Sequence, residues 1–203
     1  TTLAALVDDI NANRQTHIVT LEKPIEYIYK NKLSIVNQRE IGSDTVDYST
    51  GLRAAIKEHP DVIVIDELKG PKTFEMALTA AESGHLVLAG LHTTGVTNTI
   101  NYLIGLFSQE KQQQIMSRLA YILDAVISQQ LIPLQDETGS VAAFEIMRSD
   151  NAMRNLIREG KIHQIDSLLQ TGQKQGMQTM DDAVYELYLK RKIDATTALD
   201  YAI

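Results

Sequence analysis

Residues 61–67, Asp-Val-Ile-Val-Ile-Asp-Glu, constrain this chain more than any other stretch. The β-branched run Val62 to Ile65 has no polar alternation, so a strand made from it hides both faces, as strands of parallel sheets flanked by helices do. The carboxylates of Asp66 and Glu67 mark where the chain leaves the core, and in an open parallel sheet that carboxyl end is where ligands bind. Its neighbours fit the same architecture. Pro71 and Gly84 bracket a helix, Pro just inside its start and Gly just past its end. His85-Leu-Val-Leu-Ala-Gly-Leu-His92 reads as another buried strand, and Thr94 is placed to cap a helix carrying Ile100, Leu103 and Ile104. Strand, helix, strand, helix predicts an α/β fold with a mostly parallel sheet.

Upstream, Leu3, Leu6, Val7 and Ile10 give residues 1–13 a helical period that closes at Asn11-Ala12-Asn13. Residues 17–21 read as a strand stopped by Glu22-Lys23-Pro24, and Leu33–Asn37 as a shorter one. Tyr48–Glu58 reads as a helix closed by Pro60, with Asp47 or Ser49 as its cap. Downstream, Ile115, Met116, Leu119, Ile122, Leu123, Val126 and Ile127 predict one long amphipathic helix over 108–130. Residues 130–134 and 141–147 flank the polar cluster 136–140 and predict an antiparallel hairpin at the sheet edge. After Asp150 strand signals stop, and helices are expected at 151–159, 161–169, 179–191 and 194–202. The expected division is a core over 1–149 and a helical subdomain over 150–203.

Composition closes off other classes. With 203 residues and 44% apolar content the chain can bury a sizeable core and is not disordered. A net charge of −7 provides no global positive field for nucleic acid or an anionic lipid surface. Having no cysteine, it has neither disulfides nor thiolate chemistry. Its apolar runs are too short to span a bilayer, so membrane contact is expected to be peripheral.

The chemistry-bearing residues gather at the strand ends. Glu22 ends the first strand, with Glu26 placed one helical turn on; Asp66-Glu67 ends the central strand; His92, Thr93 and Thr94 follow the next. Adjacent tips would bring carboxylates, an imidazole and hydroxyls into one crevice. That set suits holding Mg²⁺ through water, orienting an attacking water and sensing a terminal phosphate. Taken singly, an acidic residue after an apolar strand is ordinarily just where the chain meets solvent. No G-x-x-x-x-G-K-[ST] phosphate loop occurs, yet Thr1-Thr2 followed by an apolar helix is what the residues after such a loop look like.

The stretches Thr1–Ala5, Glu22-Lys23-Pro24-Ile25-Glu26, Val36–Glu40, Leu52–Ala55, Val62–Glu67, Gly84–Val87 with Leu91–Thr94, Ala152–Glu159 and Gly176–Asp181 stand in this order along the chain. The series resembles the secretion ATPases, and within them the twitching-motility, or pilus-retraction (PilT), ATPases. In that family the phosphate loop ends Gly-Lys-Ser and continues Thr-Thr-Leu-Ala-Ala, the acidic box reads Glu-Asp-Pro-x-Glu, and the magnesium-site strand ends Gly-Glu. Residues 84–94 are similar to its histidine box, and residues 152–159 to the helix its members need for retraction. Lys23 departs from the acidic-box Asp, Asp66 from the Gly, Lys69-Gly70 from an Arg-Asp pair, and Lys57 and His59 from an upstream Arg and Asp.

The resemblance implies a RecA-like P-loop NTPase core cut just after the phosphate loop, ATP and Mg²⁺ as cofactors, and a cytoplasmic homo-hexamer. That ring would work at the inner membrane on the pilus platform protein. Glu67 would orient and polarise the attacking water near Mg²⁺, with Asp66 beside it at the metal and Glu22 and Glu26 in support. His92 would meet the terminal phosphate, Thr93 would contact the nucleotide, and Thr1 and Thr2 would lie beside the α-phosphate. His85 reads either as a nucleotide contact or as a satisfied structural histidine. Arg53 reads either as an arginine finger or as a solvated helix residue. Spacing puts Met153, Leu156 and Ile157 on a buried stripe and Arg154 and Arg158 on the exposed face; the resemblance makes Arg154, Asn155 and Arg158 the motor contact. Pilus-extension, type II secretion and conjugative-transfer ATPases are the alternatives within the class. The departures motivate another reading, a degenerate ring subunit that does not hydrolyse. Without a phosphate loop, the 203 residues alone are expected to show negligible hydrolysis.

Overall fold

The computed structural model describes residues 1–136 and 138–202, and the chain divides into two compact units, Thr1–His92 and Thr93–Ile203. The first unit holds α1 (Thr2–Asn13), β1 (His17–Glu22), β2 (Ile35–Glu40), α2 (Tyr48–Lys57), β3 (Val62–Ile65), α3 (Gly70–Glu82) and β4 (Leu86–Ala89). Its strands form one parallel sheet in the order β2-β1-β3-β4. The central pair is buried as the aliphatic run requires, and Ile63 and Ile65 are wholly inaccessible; each such burial is worth about 1.5–3 kcal/mol.

Both faces of the sheet are covered. Val7 of α1 packs with Ile18, Val62 and Val64 on one side. On the other, α2 comes so close to β1 that a Cβ on Gly51 would sit 3.0 Å from Leu21 Cδ2. Asp47 caps α2, accepting from Thr50 N at 2.6 Å. Helix α1 runs through the expected turn at 11–13 because buried Asn11 is a fastener: its side chain accepts from Lys32 N at 3.0 Å and donates to the Lys30 carbonyl at 2.8 Å. Its backbone oxygen takes the N–H groups of Leu33 and Ser34. That places the start of β2 at Ile35, two residues later than expected. Strand β4 is shorter than 85–92 and half-exposed. Residues 23–34 hold no helix, so Glu26 does not lie one helical turn beyond Glu22.

The second unit holds α4 (Val96–Gly105), α5 (Gln109–Ile122), β5 (Ala125–Pro133), β6 (Ser140–Arg148), α6 (Asn151–Arg158), α7 (Ile165–Thr171), α8 (Met180–Leu189) and α9 (Ala195–Tyr201). The single helix expected over 108–130 is instead α5 and β5, and Val126 and Ile127 belong to the strand. The antiparallel hairpin is present, paired from Ala125↔Arg148 to Pro133↔Ser140 as a two-stranded sheet of its own. Glu137, within the expected turn cluster, lies outside the described residues. Ile132 and Ala143 of the hairpin pack with Met180, Ala183, Val184 and Ile193. Strands do end at Arg148, but the chain divides between His92 and Thr93, because the late helices pack with the hairpin and α5. Thr94 is not the cap of α4; Gly95 holds that position without a side-chain bond, and Glu145 Oε2 accepts from Val96 N. Among the described residues no helix is long and apolar enough to cross a membrane.

Candidate functional site

Parallel register places the strand exits of the first unit side by side. Glu22 is paired with Glu40 across β1 and β2, and Leu21 with Ile65 across β1 and β3, so Asp66 follows at the neighbouring exit. Ile65 pairs with Ala89, which brings the segment leading to His92 beside Glu67. The backbone is stitched there: Asp66 N donates to the Leu21 carbonyl, Gly90 N to Ile65, and Leu68 N to Gly90. A Cβ on Gly90 would lie 2.1 Å from the Asp66 carbonyl oxygen, so only glycine permits this approach.

Glu67 is at the centre. Its Oε1 lies 3.3 Å from His92 Nε2 and its Oε2 2.7 Å from Lys69 Nζ, and its side chain is 24% exposed. His92 is 85% exposed and open to a ligand. Glu22 is buried, accepting at Oε1 from Thr20 Oγ1 at 2.6 Å and from Gln38 Nε2 at 2.9 Å. Asp66 does not present a free carboxylate to a metal. Its Oδ1 accepts from Tyr48 Oη at 2.6 Å and from Glu67 N at 2.6 Å, and its Oδ2 accepts from Lys23 N at 2.5 Å. Burial, then the bond to Asp66 and the charges of Asp66, Glu67 and Glu22, hold the Tyr48 phenol well above its ordinary range. Tyr29 is pushed up to about 12 by burial and then by Glu22.

Other expected residues lie apart from this group. Glu26 is exposed, on a segment held to β2 by Ile25 N on Glu40 Oε2 and by Gln38 Nε2 on the Tyr27 carbonyl. Thr1 Oγ1 is 2.9 Å from Tyr27 Oη, and Thr2 opens α1. His85 precedes β4, at the opposite end from His92, with Nδ1 2.6 Å from the Pro60 carbonyl oxygen. Arg53 is exposed on α2. Thr93, in the second unit, has Oγ1 2.8 Å from Thr99 Oγ1.

On α6, Met153 and Ile157 are buried and Leu156 half-buried, close to the expected stripe. Arg154, expected to be exposed, is folded back onto the end of α5. Its guanidinium donates to the carbonyls of Ala120 and Tyr121 and, at 3.2 Å, to Asp124 Oδ1. A cation there meets unpaired carbonyls and the negative end of the helix. Asn155 and Arg158 do stay exposed, joined by Arg158 Nη1 on Asn155 Oδ1 at 3.1 Å.

Tyr48, Gln38, Thr20 and Glu40 also gather around these carboxylates; Gln38 and Glu40 stand in the stretch Val36–Glu40 that resembles the family, but the sequence alone gives none of the four a role. Thr20 sits two residues before Glu22, where side chains of a strand share a face, and was legible on that ground. Gln38 and Glu40 required the parallel register, which no local pattern supplies. Among the described residues no three His, Cys, Asp or Glu side chains converge to hold a metal. The donors suit magnesium all the same, because that ion keeps several waters and takes only one or two carboxylates alongside phosphate oxygens.

Residues 1–173 match the family model described as type II/IV secretion system protein. The twitching motility protein of Neisseria gonorrhoeae is 46% identical over 92% of this chain and 50% of its own length. The type IV pilus retraction ATPase PilT of Pseudomonas aeruginosa is 44% identical over 100% of this chain and 58% of its own. A solved structure of the pilus retraction motor PilT with bound ADP superimposes with a TM-score of 0.92 at 43% identity, covering 100% of this chain and 57% of that one. The chain thus spans about half the length of the curated relatives it matches. By the family match and these relatives, the chain belongs to the type II/IV secretion system protein family.

Proposed function

We propose that this chain is the hydrolytic part of an ATP-driven motor of the pilus-retraction kind, working as a homo-hexamer on the cytoplasmic face of the inner membrane against the pilus platform protein. The observation that carries the reading is Glu67 set against His92 at the exits of adjacent parallel strands, in a chain 44% identical to a pilus retraction ATPase. Glu67 orients the attacking water by accepting a hydrogen bond from its O–H. Exposed His92 meets the terminal phosphate, and Lys69, beside Glu67, adds positive charge near the same place. Buried Glu22 supports the carboxylate group through the Thr20 and Gln38 bonds, and Glu26 stands on the exposed segment beyond it. Magnesium, when bound with ATP, would draw charge from the phosphate oxygens, with Glu67 its carboxylate partner through water. Thr1 and Thr2 are assigned to the α-phosphate. Arg53, exposed on α2, is available to the nucleotide of a neighbouring subunit. With Arg154 engaged on α5, Asn155 and Arg158 are what α6 offers the platform protein.

Steady-state phosphate release by the full-length gene product, with magnesium and with chelator, tests this reading. Magnesium-dependent turnover supports it, and ATP binding without turnover favours the other reading, a degenerate ring subunit. One observation favours that alternative: both Glu67 oxygens are engaged, by Lys69 and His92, and Lys69 stands in a stretch that departs from the family pattern.

A further inference from the structure

We propose that Tyr48 and Asp66 form a brace that fixes the backbone of Glu67 at the exit of β3, making Tyr48 a positioning residue for the water-orienting carboxylate. The inference rests on the hydrolytic role of Glu67 proposed above. Asp66 ties three separate segments together: Oδ2 holds Lys23 N at the exit of β1, and Oδ1 holds both Tyr48 Oη at the start of α2 and Glu67 N. Glu67 is therefore the next residue after a side chain anchored at three points. Its other side is closed by Leu68 N on the Gly90 carbonyl and by burial of Leu68.

The chemistry of the anchor is specific. Glu22, Glu40, Asp66 and Glu67 bring four carboxylates to adjacent exits. A phenol donates one hydrogen bond without charge. Tyr48 is only part-buried at this bond and follows the Asp47 cap, so its position is set by the start of a capped helix rather than by a mobile loop. Groups that hold a reacting carboxylate within a few tenths of an ångström affect turnover more than binding.

The test uses the full-length gene product. Tyr48→Phe removes the donor and keeps the ring, Asp66→Ala removes the anchor, and Glu67→Gln tests the underlying role. Expected results for Tyr48→Phe are a kcat lowered on the order of tenfold, an unchanged Kd for a fluorescent ADP analogue, an unchanged melting temperature, and faster amide hydrogen exchange at Glu67. In Asp66→Ala exchange rises at both Glu67 and Lys23, and adding Tyr48→Phe to it lowers kcat no further. Parental kcat and parental exchange at Glu67 in Tyr48→Phe, with Glu67→Gln inactive, overturn the brace and leave the role of Glu67 standing. Full turnover in Glu67→Gln overturns the role of Glu67 and with it the positioning role of Tyr48, while exchange at Glu67 in Tyr48→Phe separately decides whether the brace holds the backbone.

Discussion

His92 Nε2 lies 3.3 Å from Glu67 Oε1, joining the exits of β4 and β3 by a single side-chain contact. The imidazole is 85% exposed, so it contributes little burial to the fold. His92→Ala is expected to lower steady-state phosphate release about a hundredfold, the usual cost of losing one donor to a developing oxyanion. The melting temperature should stay at the parental value. A drop in melting temperature that tracks the loss of turnover would make the histidine structural instead.

Glu145 is buried in the second unit, where Oε2 accepts from Val96 N at 2.7 Å and closes the start of α4. Burial raises its pKa above the ordinary 4.5, and the charges of Asp166 and Asp181 push the same way against the lowering by the Val96 bond. The folded state therefore favours the neutral acid. The stability this confers is full below pH 4.5 and is lost as pH rises through the raised value. Glu145→Gln keeps an acceptor for Val96 N without the charge, so in urea unfolding its stability relative to the parent should improve between pH 4 and pH 7. Glu145→Ala leaves that N–H without its partner and should cost about 1–3 kcal/mol.

Arg154 donates to Ala120, Tyr121 and Asp124 at the end of α5. Arg154→Ala should lower the unfolding free energy by about 1–3 kcal/mol. Asn155→Ala, on the exposed side of the same helix, should stay within about 0.5 kcal/mol of the parent. If Arg154 were only a surface contact for a partner, both variants would unfold alike and differ only in pilus retraction.

Much of this architecture was legible because local pattern and tertiary environment agree. The Val62–Ile65 run, the Asp47 cap and the Pro71 and Gly84 brackets each state their own structure. The break at Ile122 was not legible. Residues 115–127 keep a helical period of apolar side chains, but Val126 and Ile127 lie on a strand whose alternate residues Ser128 and Ile132 are buried. What decides it is pairing with β6 over nine positions and the Arg154 cap on α5, both non-local. The site divides in the same way. Glu67 and His92 were legible as strand tips. The engagement of Asp66 by Tyr48 and Lys23 was not, because those residues lie 18 and 43 positions away in sequence.

The proposed mechanism turns on Glu67 orienting the water that attacks ATP. The most direct measurement is single-turnover phosphate release by the Glu67→Gln full-length gene product, alongside its Kd for a fluorescent ATP analogue. The expected result is a rate lower by about two to four orders of magnitude with nucleotide affinity retained. Release at the parental rate would contradict it.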